Sequence, residues 1–247
     1  MNRIYAVVFA TVAIVLTGCS ATQQMDLRID GTGEVSLSVE LGRVFREYYS
    51  DLSGGDSDEI FDAAEIMRVL QGQPGLTVRS VSTPGLGQLE IDLQLQDVEQ
   101  LFRDDSMEMP EIVYFVRNGD RATIHIRFGR SDIPRFLRLS PVGDSPMIEY
   151  LLPPGQNLNR SEYIEYLSWA FEEYEGSTAI ARVIEDAAIE LRLRPEGDIL
   201  VQRGGEVDGD TVVFRVPVID LVLADEPYEF SVQFRAVEKP AENQAEE

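Results

Sequence analysis

Apolar and polar side chains alternate without a break in the stretch Glu34-Val35-Ser36-Leu37-Ser38-Val39-Glu40-Leu41. The same alternation recurs at 89–96 and at 228–235. Because successive side chains of a strand point to opposite sides, this pattern is typical of β-strands with one buried and one solvated face. Leu27 and Ile29 precede the turn Gly31-Thr32-Gly33, which predicts pairing with the strand at 34–41. The pattern therefore predicts antiparallel strands covered on one side.

A helix is predicted between these strands, from about residue 57 to residue 70. Asp56 or Ser57 can cap its start, and the Gly/Pro-containing segment 71–75 ends it. Its apolar face consists of Ile60, Phe61, Ala64, Met67, Val69 and Leu70. The N-terminal unit is thus expected to run strand, strand, helix, strand, strand.

A second hairpin is predicted for 111–128, through a three-residue loop Arg117-Asn118-Gly119 with Gly119 in the left-handed conformation. A loop of odd length puts two apolar sets on one face, namely Ile112, Tyr114 and Val116 with Ala122, Ile124 and Ile126. Arg121 and His125 would then lie on the opposite face.

Helical patterning occupies the middle of the chain, from about 131 to 187. Asn159 followed by Glu162 matches a capping box, and Gly176 would end this helix. A second helix follows with Ile180, Val183 and Ile184 facing inward, and strands return from 189 to 237. Together the elements predict a single α+β domain, a mostly antiparallel sheet of about eight to ten strands with helices packed on one face.

The first of these helices carries five aromatic side chains, Tyr163, Tyr166, Trp169, Phe171 and Tyr174. Aromatic side chains fill cores efficiently, so core packing with Ile164 and Leu167 is the expected role. An interfacial face of the helix is the alternative.

The N-terminus has the plan of a secretory signal peptide: a basic start at Arg3, an apolar run over 4–16, and Gly18 before the only cysteine. The motif Leu16-Thr17-Gly18-Cys19 resembles the lipobox of bacterial lipoproteins. The resemblance implies cleavage after residue 18 and a diacylglycerol on the Cys19 sulfur. The alternative is an uncleaved N-terminal anchor with a buried cysteine.

This interpretation divides the chain into a signal peptide (1–18), a lipidated tether (19–25), one folded domain (26–238) and a disordered acidic tail (239–247). Ser20 after the cysteine favours the outer membrane over the inner membrane of the cell envelope. No second apolar run of about eighteen residues follows, so we expect anchoring to a membrane through Cys19 rather than a span. A net charge of −23 over 247 residues argues against nucleic acid as a partner.

The sequence lacks the residue sets that common catalytic and metal sites need. Gly143-Asp144-Ser145-Pro146 resembles the serine block of GDSL-type esterases, but the only histidine, His125, precedes the serine. One histidine and one lipidated cysteine exclude the usual zinc sites, and the acidic stretch at 56–61 lacks the glycine of a calcium loop. We expect a non-enzymatic protein without metal or cofactor. A carboxylate-dependent hydrolase is the remaining enzymatic alternative.

A cationic segment interrupts this acidic chain with Arg117, Arg121, Arg127, Arg130, Arg135 and Arg138. Guanidinium groups suit bidentate contact with phosphate, so these six arginines are candidates for contact with anionic lipid head groups. The alternative is that they pair with the surplus carboxylates and stabilise the fold modestly.

Beyond the N-terminus, the order strand, Asp30-Gly31 turn, strand, helix, Pro74-Gly75 turn, strand, strand resembles the LppM-type lipoprotein domain. The resemblance covers about 25–101 and extends to the strands between 189 and 234. It implies an α/β fold associated with binding of envelope lipids and glycolipids. The leading hypothesis is a membrane-anchored lipoprotein that binds a lipid or another amphipathic ligand between sheet and helices. The alternative is a scaffold or assembly lipoprotein that docks another envelope protein.

Overall fold

A computed structural model describes residues 20–52, 60–72, 75–98, 113–133 and 158–236. Its strands are β1 (Ser20–Leu27), β2 (Gly33–Glu40), β3 (Leu76–Ser82), β4 (Gln88–Leu95), β5 (Val113–Asn118), β6 (Arg121–Phe128), β7 (Ala188–Pro195), β8 (Asp198–Arg203), β9 (Glu206–Asp208), β10 (Thr211–Pro217) and β11 (Tyr228–Arg235). The helices are α1 (Arg43–Leu52), α2 (Ala63–Leu70), α3 (Arg160–Ala170), α4 (Ser177–Asp186) and α5 (Val218–Leu223), with a 3-10 turn over Arg130–Asp132. The predicted signal peptide, Cys19, the segment 143–146 and the predicted tail lie outside the described residues.

The predicted α+β class is confirmed, and the strands divide between two sheets rather than forming one. A seven-stranded sheet has the order β3-β4-β2-β1-β7-β10-β9, and a four-stranded sheet has the order β5-β6-β11-β8. Neighbouring strands are antiparallel except for the parallel pair β1 and β7. Which strands belong to which sheet depends on pairing between segments far apart in sequence. The alternation within a single strand carries no information about this pairing.

The predicted alternation is confirmed in β2 and β4. Their apolar side chains are at most 5% exposed, namely Val35, Leu37 and Val39 on β2 and Leu89, Ile91, Leu93 and Leu95 on β4. The intervening polar residues face solvent or are half-buried. One side of the seven-stranded sheet therefore packs on the core, and the other side is wet.

The interpretation of 20–24 as a tether was wrong, because these residues form the first part of β1. Ser20 pairs with Glu40 of β2 on one side and with Ala188 of β7 on the other. Ala21 is 2% exposed and Met25 is 4% exposed, so both side chains contribute to the core. The polar residues of this segment do not predict a strand, and its second partner, β7, lies far along the chain. Residues 20–25, which were predicted to be a tether, thus belong to the seven-stranded sheet.

The hairpin of β5 and β6 forms, but with a different loop from the predicted one. Asn118 pairs with Arg121, which leaves the two-residue loop Gly119-Asp120. Gly119 has φ 64° at the first central position, as a type II′ turn requires. Compared with a loop of odd length, a loop of even length places the opposite set of β5 side chains on the face that β6 turns toward the core. Consequently Val113 and Phe115 are buried, and Tyr114 and Val116, which were predicted to face the core, are exposed.

The described part of the N-terminal unit contains two helices where one was predicted. α1 was missed, because its buried Val44 and Phe45 are flanked by charged residues and tyrosines. α2 begins at Ala63, and Asp62 caps it by accepting a hydrogen bond from the Glu65 amide at 2.9 Å. The caps predicted earlier in the chain, at 56 and 57, lie outside the described residues. Asp62 is therefore the N-cap of the helix that the structure describes.

The capping box of α3 is confirmed. The Glu162 amide donates to Asn159 Oδ1 at 3.1 Å, and the Asn159 amide donates to Glu162 Oε2 at 2.9 Å. The helix ends at Ala170, earlier than predicted, and Gly176 instead precedes α4. Of the aromatic side chains predicted for this helix, Tyr163 and the C-cap residue Phe171 are buried, as the core-packing interpretation requires, whereas Trp169 is 66% exposed.

One hydrophobic core joins the two sheets and the helices. The Phe214 ring of β10 and the Phe230 ring of β11 lie 4.8 Å apart between the sheets. The chain passes from one sheet to the other at Gly197, where φ is 143° and a Cβ would lie 2.0 Å from the Arg235 carbonyl oxygen. Only glycine fits such a crossing. Within the described ranges, no helix is both long and apolar enough to cross a bilayer.

Candidate functional site

The side of the four-stranded sheet that faces away from the core is named here the outer face. Register partners in an antiparallel pair lie on the same side of a sheet, so the pairing defines its rows. The rows are Arg127 and Glu229; Tyr114, His125, Ser231 and Arg203; Val116, Thr123, Gln233 and Val201; and Asn118, Arg121, Arg235 and Asp198. The outer face thus combines cationic, aromatic and aliphatic side chains on regular structure.

The outer face carries more cations than anions. Arg127 pairs with Glu229 at 3.5 Å, and Arg235 pairs with Asp198 at 3.3 Å. Within the part of the chain that the structure describes, Arg121 and Arg203 make no salt bridge to a carboxylate. Four arginines against two carboxylates leave a local excess of positive charge on a chain whose net charge is −23. Such an excess attracts anions to this face.

Apolar side chains lie beside these arginines. Tyr114 is 54% exposed and Val201 is 60% exposed, on the two edge strands of the sheet. The Tyr114 ring lies 6.2 Å from the His125 ring, centroid to centroid. Val116 lies one row further along β5 and is 37% exposed. The outer face therefore offers contacts for both the charged and the apolar part of an amphipathic molecule.

The structure brings only some of the six predicted arginines together. Arg121 and Arg127 lie on the outer face, as the predicted hairpin required for Arg121. Arg117 pairs with Ala122 and therefore belongs to the other side of the sheet, at its exposed end. Arg130 is half-buried in the 3-10 turn, near enough to Tyr163 for its charge to act on the phenol. Arg135 and Arg138 lie outside the described residues.

Two arginines of the outer face, Arg203 and Arg235, were missed by the sequence analysis. Arg235 lies at an outward position of the alternating stretch at 228–235, so the sequence pattern could have placed it on the solvent side. Arg203 joins the face only because β8 pairs with β11 after a bulge between Gln233 and Phe234. Pairing between two separate strands cannot be derived from the local pattern of either strand.

On the wet side of the seven-stranded sheet, several charged side chains are paired within the sheet. Asp92 of β4 accepts hydrogen bonds from the Ser36 hydroxyl of β2 at 2.7 Å and the Ser80 hydroxyl of β3 at 2.8 Å. These bonds hold the pKa of Asp92 below its ordinary value. Arg79 pairs with Glu34 at 2.8 Å on the same side. These side chains thus link three neighbouring strands, β2, β3 and β4, to one another.

Burial governs the chemistry of Tyr163, which is the largest fully buried side chain among the described residues. Loss of hydration raises the pKa of its phenol well above the ordinary value, and the Arg130 charge opposes this rise only in part. Tyr163 therefore stays neutral and acts in packing, with its ring stacked 6.4 Å from that of Tyr166.

Two surface depressions lie on the seven-stranded sheet, away from the outer face. One, of about 230 Å³, is lined by Ile60, Phe61 and the residues at 83 and 85–88. The other, of about 360 Å³, lies at the opposite end of the sheet and is lined mainly by charged side chains, including Asp26, Arg28 and Arg194. Neither contains a candidate arginine from the segment 117–138. Among the described side chains, no group of three or more histidines, cysteines or carboxylates is placed to hold a metal ion.

Comparison with solved structures gives a structural likeness, whereas comparison with protein families and curated proteins gives none. No protein-family model matches the chain, and no curated protein matches it. Among solved structures, it is similar to the NMR structure of the folded domain of LppM from Mycobacterium tuberculosis. The identity is 11%, the match covers 90% of this chain and 92% of that one, and the TM-score is 0.39. The function is therefore argued from the residues of this chain.

Proposed function

We propose that this protein is a non-enzymatic lipoprotein of the cell envelope, anchored through Cys19, that binds an anionic amphipathic ligand on its outer face. The observation that carries the proposal is the pair of arginines without salt bridges, Arg121 and Arg203, on a sheet face that also exposes Tyr114 and Val201. The lipobox motif and Ser20 support a place at the outer membrane. The proposed ligand site on the outer face differs from the site expected from the sequence, which lay between the sheet and the helices.

The charge distribution supports an anionic head group. Each arginine held near an anionic lipid surface contributes about 1 kcal/mol to binding. Guanidinium groups can also engage phosphate oxygens through two parallel hydrogen bonds. The arginines lie on β6, β8 and β11, so their spacing is set by the sheet rather than by loops. A fixed array binds with a smaller loss of side-chain entropy than a flexible one.

The apolar residues support an amphipathic ligand rather than a simple anion. Tyr114 and Val116 stand on one edge strand and Val201 stands on the other, with the arginines between and around them. Burying exposed apolar surface contributes about 25 cal/mol per Å². An acyl chain lying along the face would cover these side chains while its head group met the arginines.

The test is vesicle binding by the chain from residue 20 to residue 247, which keeps β1 whole and removes the anchor. Wild-type protein is expected to bind vesicles of phosphatidylglycerol more tightly than vesicles of phosphatidylcholine, and the difference should shrink with added salt. The charge reversals Arg121→Glu and Arg203→Glu together should weaken binding to the anionic vesicles more than about tenfold.

The matched control carries Arg68→Glu and Arg182→Glu, which change net charge equally on exposed helical positions of α2 and α4. This control should stay close to wild type on phosphatidylglycerol. Equal losses in both double variants would mean that only net charge matters, and the outer face would lose its role. Absence of any binding by the wild-type chain would also refute the proposal.

A second candidate function is docking of another envelope protein. It is favoured by the position of Tyr114 and Val116 on β5, which is an edge strand of the four-stranded sheet. An edge strand has unpaired backbone groups to which an extended segment can add. Hydrogen exchange of the β5 amides distinguishes the two functions. A docked protein strand slows exchange along β5, whereas a lipid bound on the outer face leaves the β5 edge amides exchanging.

A further inference from the structure

The absence of a tether has a consequence for how the domain sits on a membrane. Ser20, the residue after the proposed lipid attachment site, already pairs on both sides within the seven-stranded sheet. A fully extended chain advances about 3.3–3.6 Å per residue, so a single peptide step leaves almost no slack between the acyl chains and the sheet. The anchor therefore constrains orientation as well as location.

We propose that the end of the seven-stranded sheet where β1 begins rests on the lipid head groups, with the turn at 83–87 in contact with the bilayer. This inference rests on the proposed anchor at Cys19. Ser20 of β1 is the register partner of Glu40 of β2, and Glu40 is the register partner of Gln88, the first residue of β4. The turn that precedes Gln88 thus projects from the same end, two strand spacings or about 10 Å to the side of β1.

The turn presents an apolar side chain on a fixed backbone. Leu86 is 52% exposed at its tip. The Arg46 guanidinium donates to the Leu86 carbonyl oxygen at 3.1 Å, and the Leu41 amide donates to the Gly87 carbonyl oxygen at 2.9 Å. Gly87 has φ 75°, and a Cβ there would lie 2.7 Å from Arg46 Cδ. The sheet end therefore holds Leu86 outward, where it can enter the head-group region.

The opposite end of the sheet is unsuited to an anionic bilayer. Its exposed carboxylates include Asp30 after β1, Glu196 after β7, and Asp208 and Asp210 at the turn between β9 and β10. Seven residue steps along β1 separate the two ends by about 23 Å. Negative head groups repel this acidic end. The other end has exposed carboxylates as well, at Glu40 and Asp186, so the anchor and Leu86, rather than charge, place it against the bilayer.

The test places one fluorophore on the full, lipidated chain. Cys19 is the only native cysteine and would be acylated, so Leu86→Cys supplies a unique thiol for labelling. Val207→Cys is the matched control, since Val207 is 53% exposed and Leu86 is 52% exposed. Register places Val207 level with Met25 through β10 and β7, about 16 Å along the strand direction from Ser20.

The proteins are reconstituted into vesicles of phosphatidylcholine and phosphatidylglycerol, with and without nitroxide-labelled head groups. We expect nitroxide to quench the label at 86 severalfold more strongly than the label at 207. Pro84→Cys, which labels another exposed position in the same turn, should behave like Leu86→Cys even if one variant folds poorly.

Intact mass of the same samples separates the two proposals. Protein that carries acyl mass but is quenched equally at 86 and 207, or more strongly at 207, overturns the orientation and leaves the anchor standing. Protein without acyl mass overturns the proposed anchor itself and the orientation with it. Acyl mass together with selective quenching at 84 and 86 supports both.

Discussion

A carboxylate at position 21 should destabilise the fold severely, because Ala21 is an inward residue of a central strand. Ala21 is 2% exposed and pairs with Val39 and Ile189. Full burial raises the pKa of a carboxyl by up to about 3–5 units, and each unit corresponds to about 1.36 kcal/mol. Because the buried carboxyl takes up a proton once its pKa reaches the ambient pH, Ala21→Asp should cost about 4 kcal/mol at pH 7. This is a large part of the about 5–15 kcal/mol that stabilises a typical domain.

The matched control is Gln24→Asp, on the exposed side of the same strand. Gln24 pairs with Ser36 and with Arg192, so a carboxylate there meets water and a cation. Its expected effect lies within about 0.5 kcal/mol of wild type. The assay is urea unfolding of the chain 20–247, followed by far-ultraviolet circular dichroism. Equal midpoints for Ala21→Asp and Gln24→Asp would refute the inclusion of residues 20–24 in the sheet and restore a tether.

Two further predictions concern a glycine crossing and a cross-strand carboxylate. Gly197→Ala should cost about 3 kcal/mol or more in urea unfolding, because its Cβ would lie 2.0 Å from a backbone oxygen. Gly119→Ala, at φ 64° with nothing within 4 Å, should cost only about 1–2 kcal/mol, and equal costs would contradict the steric argument. Asp92→Asn should lower stability near neutral pH by less than about 1 kcal/mol, since solvent screens this exposed site. The pKa of Asp92 is lower in the folded than in the unfolded protein. The stability advantage of the wild type over Asp92→Asn should therefore persist above about pH 4 and disappear as the pH falls through the folded pKa. A stability difference that stays constant down to strong acid would contradict the hydrogen-bond explanation.

Much of the local structure could be predicted from pattern alone. The alternation in β2, β4 and β11 and the capping box at Asn159 correspond to the structure, because each depends on neighbours within one strand or one helical turn. The helix α1 was missed for a related reason. Its buried side chains are few, and the energy that holds them comes from packing against the turn after α3, where the Tyr48 ring lies 5.1 Å from Phe171.

The candidate site was predicted only in part. Two of its arginines, Arg121 and Arg127, come from the predicted cationic segment, and the outward side of Arg121 was predicted as well. The remaining cations reach the outer face from β8 and β11. Tyr114 was assigned to the wrong side of its strand, because a loop shorter by one residue reverses the parity of every side chain before it.

The sequence by itself determined the α+β class, the buried and wet sides of the alternating strands, and the motif that predicts a lipid anchor. Only the tertiary structure decided that residues 20–24 form a central strand, that the strands divide between two sheets, and that arginines from three strands share one face. The physical reason is the range of the interactions. Periodicity and capping act over a few residues, whereas the contact of Asp26 with Arg194 joins residues that are 168 positions apart in the sequence. No local pattern encodes which distant segments pair.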